Sequence, residues 1–79
     1  MKDFVEYDVF FYKDGQRVRD SSATANTLTH PSIYATAEHL RTLFFTMGYD
    51  KNADFFVLID KKSGATFECY FPSSEDEHA

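Results

Sequence analysis

Few side chains in this sequence could do chemistry, and they are scattered. His30, His39 and His78 are the only imidazoles, and Cys69 is the only thiol. A helical zinc site needs two histidines on one face plus further ligands, whereas "EH" at 38–39 sets one carboxylate and one imidazole side by side, pointing apart. Cys69 lies in "ATFECYF", where it alternates with Phe67 and Phe71. There a thiol acts as a small hydrophobe rather than a nucleophile. Ser21, Ser22, Thr24 and Thr27 have no accompanying base at a useful spacing. The three glycines fall at two turns and one helix end, so none belongs to a phosphate-cradling loop. The expectation is no catalytic, metal or cofactor-binding residue and no enzyme activity.

The elements that place the remaining side chains come from periodicity. "FVEYDVFFY" (4–12) alternates as a strand, with Val5, Tyr7, Val9 and Phe11 on one face. Asp14-Gly15 predicts a two-residue hairpin turn, since that turn needs positive φ. The register then sets Phe11 opposite Val18, Phe10 opposite Arg19 and Tyr12 opposite Arg17. It also sets Asp20 opposite the apolar Val9, so the second strand should end or bulge near Asp20. "SSATANTLTHPS" (21–32) reads as a frayed strand passing into a loop, with Pro31 excluding a helix through it.

One helix follows. Thr36 is the expected N-cap, Ala37, Leu40, Leu43, Phe44 and Met47 form its buried stripe, and Gly48 stops it. "DFFVLID" (54–60) and "ATFECYF" (65–71) predict a second hairpin around a three-residue Lys62-Ser63-Gly64 loop. In that register Phe55, Val57 and Ile59 join Phe67, Cys69 and Phe71 in the core, and Phe56 and Leu58 face outward. Pro72 ends the strand. The fold class is therefore α+β: two layers, a four-stranded antiparallel sheet with one helix packed on one face, in the order ββαββ. A single domain over 1–72 and a disordered acidic tail over 73–79 complete the expected organisation.

Charge narrows the partners. The 79 residues carry 8 basic against 13 acidic groups. Such a balance suits a basic protein surface and disfavours phosphate backbones. One cysteine allows no internal disulfide, "MKDFVEYD" has no apolar leader core, and no apolar run nears the roughly 20 residues of a membrane span. These features predict a cytoplasmic protein without membrane contact.

If the helix covers one side of the sheet, the other side carries Glu6, Asp8, Phe10, Tyr12, Arg17, Arg19, Phe56, Leu58, Glu68 and Tyr70. That much apolar and ring surface on an uncovered face exceeds what solvation needs. Three uses compete: cross-strand pairing within the monomer, docking of another protein or a second copy as a homodimer, and stacking of single-stranded bases. The carboxylates favour a protein partner and disfavour direct nucleic-acid binding.

The segments "YDVFFYKDGQRVR", "ATAEHLRTLFFTMGY" and "FFVLIDKKSGATFECYF", in a small acidic chain without an active site, resemble the anti-CRISPR proteins of phages and mobile elements. That resemblance implies a cofactor-free inhibitor that binds a CRISPR effector complex in the host cytoplasm and blocks target-DNA binding or nuclease recruitment. It makes Glu6, Asp8 and Glu68 stand-ins for phosphates, and Phe10, Tyr12, Phe56 and Tyr70 desolvated anchors. Arg17 and Arg19 do not fit a pure phosphate mimic.

Overall fold

The structure, a computed structural model, describes residues 4–71. The expected boundary at 72 and the tail 73–79 lie outside the described residues. Four strands, β1 (Phe4–Lys13), β2 (Gln16–Asn26), β3 (Phe55–Asp60) and β4 (Thr66–Tyr70), form one antiparallel sheet in the order β2-β1-β3-β4. The helix α1 (Ile33–Thr46) and a single 3-10 turn (Tyr49–Lys51) lie between the hairpins. The α+β order is thus ββαββ with one short extra turn before β3.

The first hairpin closes on Asp14-Gly15, whose φ values of 53° and 81° are those of a type I′ turn. Tyr12 pairs with Arg17, but the register shifts between Phe11 and Tyr12, so that Phe11 opposes Arg19 and Phe10 opposes Asp20. The bulge therefore falls at Val18, which is 52% exposed and gives Phe11 no core partner. Its physical effect is to move Arg19 to the helix side while Arg17 stays on the reverse. Beyond the bulge β2 runs to Asn26, well into the segment expected to fray.

Ser32 caps α1, accepting the Ala35 N–H at 3.1 Å. Thr36, the expected cap, sits inside the first turn instead, and its hydroxyl donates to the Ser32 carbonyl at 3.1 Å. Ala37, Leu40 and Phe44 are buried, whereas Leu43 (42% exposed) and Met47 (55%) edge the helix. Gly48, at φ 89°, ends it as expected.

The second hairpin departs most from expectation. Asp60 Oδ1 accepts from the N–H groups of Lys62 (2.8 Å) and Ser63 (3.1 Å), and the Gly64 N–H donates to the Asp60 carbonyl at 2.8 Å. The Asp60 N–H closes on the Ala65 carbonyl, making a loop of four residues rather than three. The extra residue slips β3 by one against β4, so Leu58 opposes Phe67 and Phe56 opposes Cys69. A one-residue slip exchanges the two faces of a strand. Phe56 and Leu58 are wholly buried, and Phe55, Val57 and Ile59 stand on the opposite face.

The core is a ring cluster under α1 and the 3-10 turn. Phe11 meets Phe44 edge-on (5.1 Å between centroids) and Tyr49 edge-on (5.4 Å), while Phe56 meets Phe44 at 5.2 Å and Phe71 at 5.4 Å. The Arg19 guanidinium lies 4.6 Å from the Tyr49 ring centroid, covering the cluster's rim.

Two aspartates tie down the turns. The carboxyl of Asp54 lies below its ordinary value because it accepts the Asp14 N–H at 3.0 Å and pairs with Lys13 at 3.6 Å. Asp60 is lowered by the N–H groups of Lys62 and Ser63. A depressed folded value stabilises the fold above the unfolded value of about 4 and is lost as pH falls through the folded one. Thermal melts from pH 7 to 2 should therefore show an acid limb that flattens in an Asp54→Asn, Asp60→Asn double variant.

Candidate functional site

The sheet face away from α1 is the candidate site, and the cross-strand register builds it row by row. Arg17, Tyr12, Phe55 and Tyr70 form the first row, Asp20, Phe10, Val57 and Glu68 the second, and Ser22, Asp8, Ile59 and Thr66 the third. Glu6 and Thr24 continue it toward the far end. The rings of Tyr12 and Phe55 stack at 5.1 Å with planes 3° apart, and Phe55 meets Tyr70 at 4.6 Å and 31°. A three-ring ladder thus crosses β1, β3 and β4. Arg17 closes the second row's edge, its guanidinium 4.6 Å from the Phe10 centroid and its Nε 3.3 Å from Asp20.

Phe10, Tyr12, Phe55, Val57 and Ile59 shield one another and are half-buried, while Tyr70 is 58% exposed. Carboxylates rim this apolar centre. Asp8 pairs with Lys61 at 3.8 Å, Asp20 pairs with Arg17, and Glu68 accepts the Tyr70 hydroxyl at 3.4 Å. Glu6 is exposed and makes no ion pair among the described residues.

Six of the seven expected partner-binding residues, Glu6, Asp8, Phe10, Tyr12, Glu68 and Tyr70, fall on this face together. Phe56 does not: it is 0% exposed in the ring cluster, and the slipped register puts Phe55 in its place. Arg19 likewise leaves the face, for Tyr49 on the other side. Val57, Ile59 and Asp20 join it. The signal for the β3 residues was Asp60 ahead of "KKSG", because an Asp side chain that binds the next amides favours the longer loop.

The remaining chemical groups sit elsewhere. His30 and His39 approach to 4.7 Å between ring centroids, with His30 Nδ1 3.0 Å from Thr29 Oγ1. No group of three or more His, Cys, Asp or Glu side chains able to hold a metal occurs among the described residues. Two imidazoles alone do not supply a tetrahedral set. Cys69 is buried against α1, its thiol 3.8 Å from the Ala37 carbonyl, and burial pushes its pKa up. It should react slowly with a thiol reagent in the native protein and rapidly in urea. Equal rates would contradict the packing of β4 on α1. No helix among the described residues is long and apolar enough to cross a membrane.

Comparison with protein-family models, curated proteins and solved structures finds no match. The functional reading therefore rests on the residues of this face.

Proposed function

We propose that this chain is a non-enzymatic protein-binding inhibitor that docks through the open face of its sheet. The observation that supports it is the ring ladder Tyr12–Phe55–Tyr70, continued by Phe10, Val57 and Ile59 and rimmed by Glu6, Asp8 and Glu68. An apolar centre with a charged rim is the anatomy of a protein interface, in which the rings supply affinity and the rim selects a basic partner. Following the anti-CRISPR resemblance, the partner is a CRISPR effector complex, bound in the cytoplasm so that target DNA or a recruited nuclease is excluded.

The geometry reshapes that expectation. With Asp8 and Asp20 already paired to Lys61 and Arg17, charge mimicry rests on Glu6 and Glu68, and ring burial carries the larger share. Base stacking is disfavoured, because Tyr12 and Phe55 lie face to face and spend their π faces on each other. The second reading, self-association through the same face, is favoured by its apolar centre.

The test is a gel-shift panel of purified CRISPR effector complexes with target DNA, adding the protein at stoichiometric amounts. Blocked DNA binding or blocked nuclease cleavage that is relieved by Phe55→Lys supports the reading. No inhibition across the panel removes the anti-CRISPR function.

A further inference from the structure

The outer edge of β2 carries a second surface, made by backbone groups that point along the plane of the sheet rather than out of its open face. At 11 residues β2 is the longest strand, and it flanks the sheet on one side. Which of its backbone groups are free follows from β1. The Glu6 carbonyl accepts the Lys61 N–H at 3.0 Å and the Tyr12 carbonyl accepts the Asp54 N–H at 2.7 Å, so the even-numbered residues of β1 point toward β3. Alternation turns Val5, Tyr7, Val9 and Phe11 toward β2, where they oppose Ala25, Ala23, Ser21 and Arg19. Asp20, Ser22, Thr24 and Asn26 consequently direct their N–H and C=O groups away from the sheet. The Asn26 carbonyl is taken by the N–H groups of Thr29 (3.1 Å) and His30 (2.8 Å). Asp20, Ser22 and Thr24 have no backbone partner on that side among the described residues.

Edges are normally guarded by charge, proline, bulges or short length. β4, the opposite edge, has five residues with Glu68 at its centre. β2 keeps its charges and its bulge at the hairpin end, Arg17 to Asp20. From Ser21 to Asn26 it reads "SSATAN", with no charge and no proline.

We propose that this edge joins two copies of the chain, β2 pairing antiparallel with β2 of the second copy about a twofold axis at Ser22. A row of free amides and carbonyls is matched by another extended backbone. A second copy fits because the free run is symmetric: it is bounded four residues before Ser22 by the Val18 bulge and four residues after it by the Asn26 turn. The twofold sets Ser22 opposite its own counterpart and Asp20 opposite Thr24 of the second copy, using both backbone groups of all three residues without opposing like charges. That axis is perpendicular to the sheet. Both helices therefore lie on one side, and the two ring ladders share the other side of an eight-stranded sheet.

Five paired residues span only about 17 Å. The contact is thus smaller than the roughly 1,200 Å² of a standard interface, and the dimer forms at high concentration. Because it leaves the open face uncovered, its failure and the failure of face docking are separable.

The test is sedimentation equilibrium of the whole chain from about 10 μM to about 1 mM, a range reaching the weakest association worth about 4 kcal/mol. The wild type should pass from monomer to dimer. Ser22→Pro removes an N–H that the monomer does not use, and should stay monomeric with an unchanged near-UV spectrum. Thr24→Glu, facing Asp20 of the second copy, should weaken the dimer about fivefold, and Thr24→Lys should tighten it about fivefold. If Ser22→Pro does not fold, the opposite responses of the two Thr24 variants still decide. A wild type that is monomeric throughout overturns the proposal and leaves the edge to a strand from another protein. A dimer that survives Ser22→Pro but is lost in Phe55→Lys overturns it in favour of the open face.

Discussion

Phe56→Ala should cost about 3–5 kcal/mol and leave much of the protein unfolded at 37 °C. The side chain has no solvent exposure and touches the rings of Phe11, Phe44 and Phe71, with centroids 5.2–5.9 Å away. Its loss removes the transfer energy of a buried ring and leaves a cavity between sheet and helix, which a rigid ring cluster closes only in part. A domain of this size has about 4–12 kcal/mol in all. Phe55→Ala, one residue away, removes an equal volume from the half-buried face and should cost well under half as much. Urea titrations of the two variants check the β3 register directly: equal losses, or a larger loss at Phe55, would contradict it.

The second large effect is on binding. Phe55 sits at the middle of the ladder, between Tyr12 and Tyr70, where a docked partner would remove the most water. Central aromatic anchors commonly contribute 2 kcal/mol or more, so Phe55→Lys should weaken partner binding about 30-fold or more. The same variant should keep its far-UV spectrum and most of its stability, since nothing in the core is touched. Glu6→Lys with Glu68→Lys acts differently. Rim charges govern the rate of encounter and its salt dependence, so these changes should slow association at low salt and matter less at high salt. Surface plasmon resonance at two ionic strengths separates the two effects. Unchanged binding by Phe55→Lys would remove the ladder from the site.

Much of the architecture was legible because local chemistry and periodicity agreed. Asp14-Gly15 allows a tight I′ turn, Gly48 ends the helix, and β1 alternates cleanly, so Glu6, Asp8, Phe10 and Tyr12 were placed on the open face by sequence. β3 was not legible by alternation, because "FFVLI" is apolar at every position and either face could be buried. There the loop decides, and its length depends on whether Asp60 binds the amides of Lys62 and Ser63, a choice that periodicity does not encode. The strand end or bulge expected near Asp20 is a bulge two residues earlier, at Val18, and the strand continues through Asp20 to Asn26. The bulge brings Arg19 against Tyr49, a residue 30 positions away in a turn with no strong sequence signal. The helix cap was missed because Ser32 and Thr36 are both good caps, and Pro31 leaves Ser32 free to start the helix.

Side-chain footprinting with hydroxyl radicals, on the protein alone and bound to its partner, tests the docking face most directly, because Tyr and Phe rings report their own solvent exposure. Binding should protect Tyr12, Phe55 and Tyr70 while Tyr34, Leu43 and Met47 on the helix react as before. Protection on the helix, with the three ladder rings as reactive in the complex as outside it, would contradict the account.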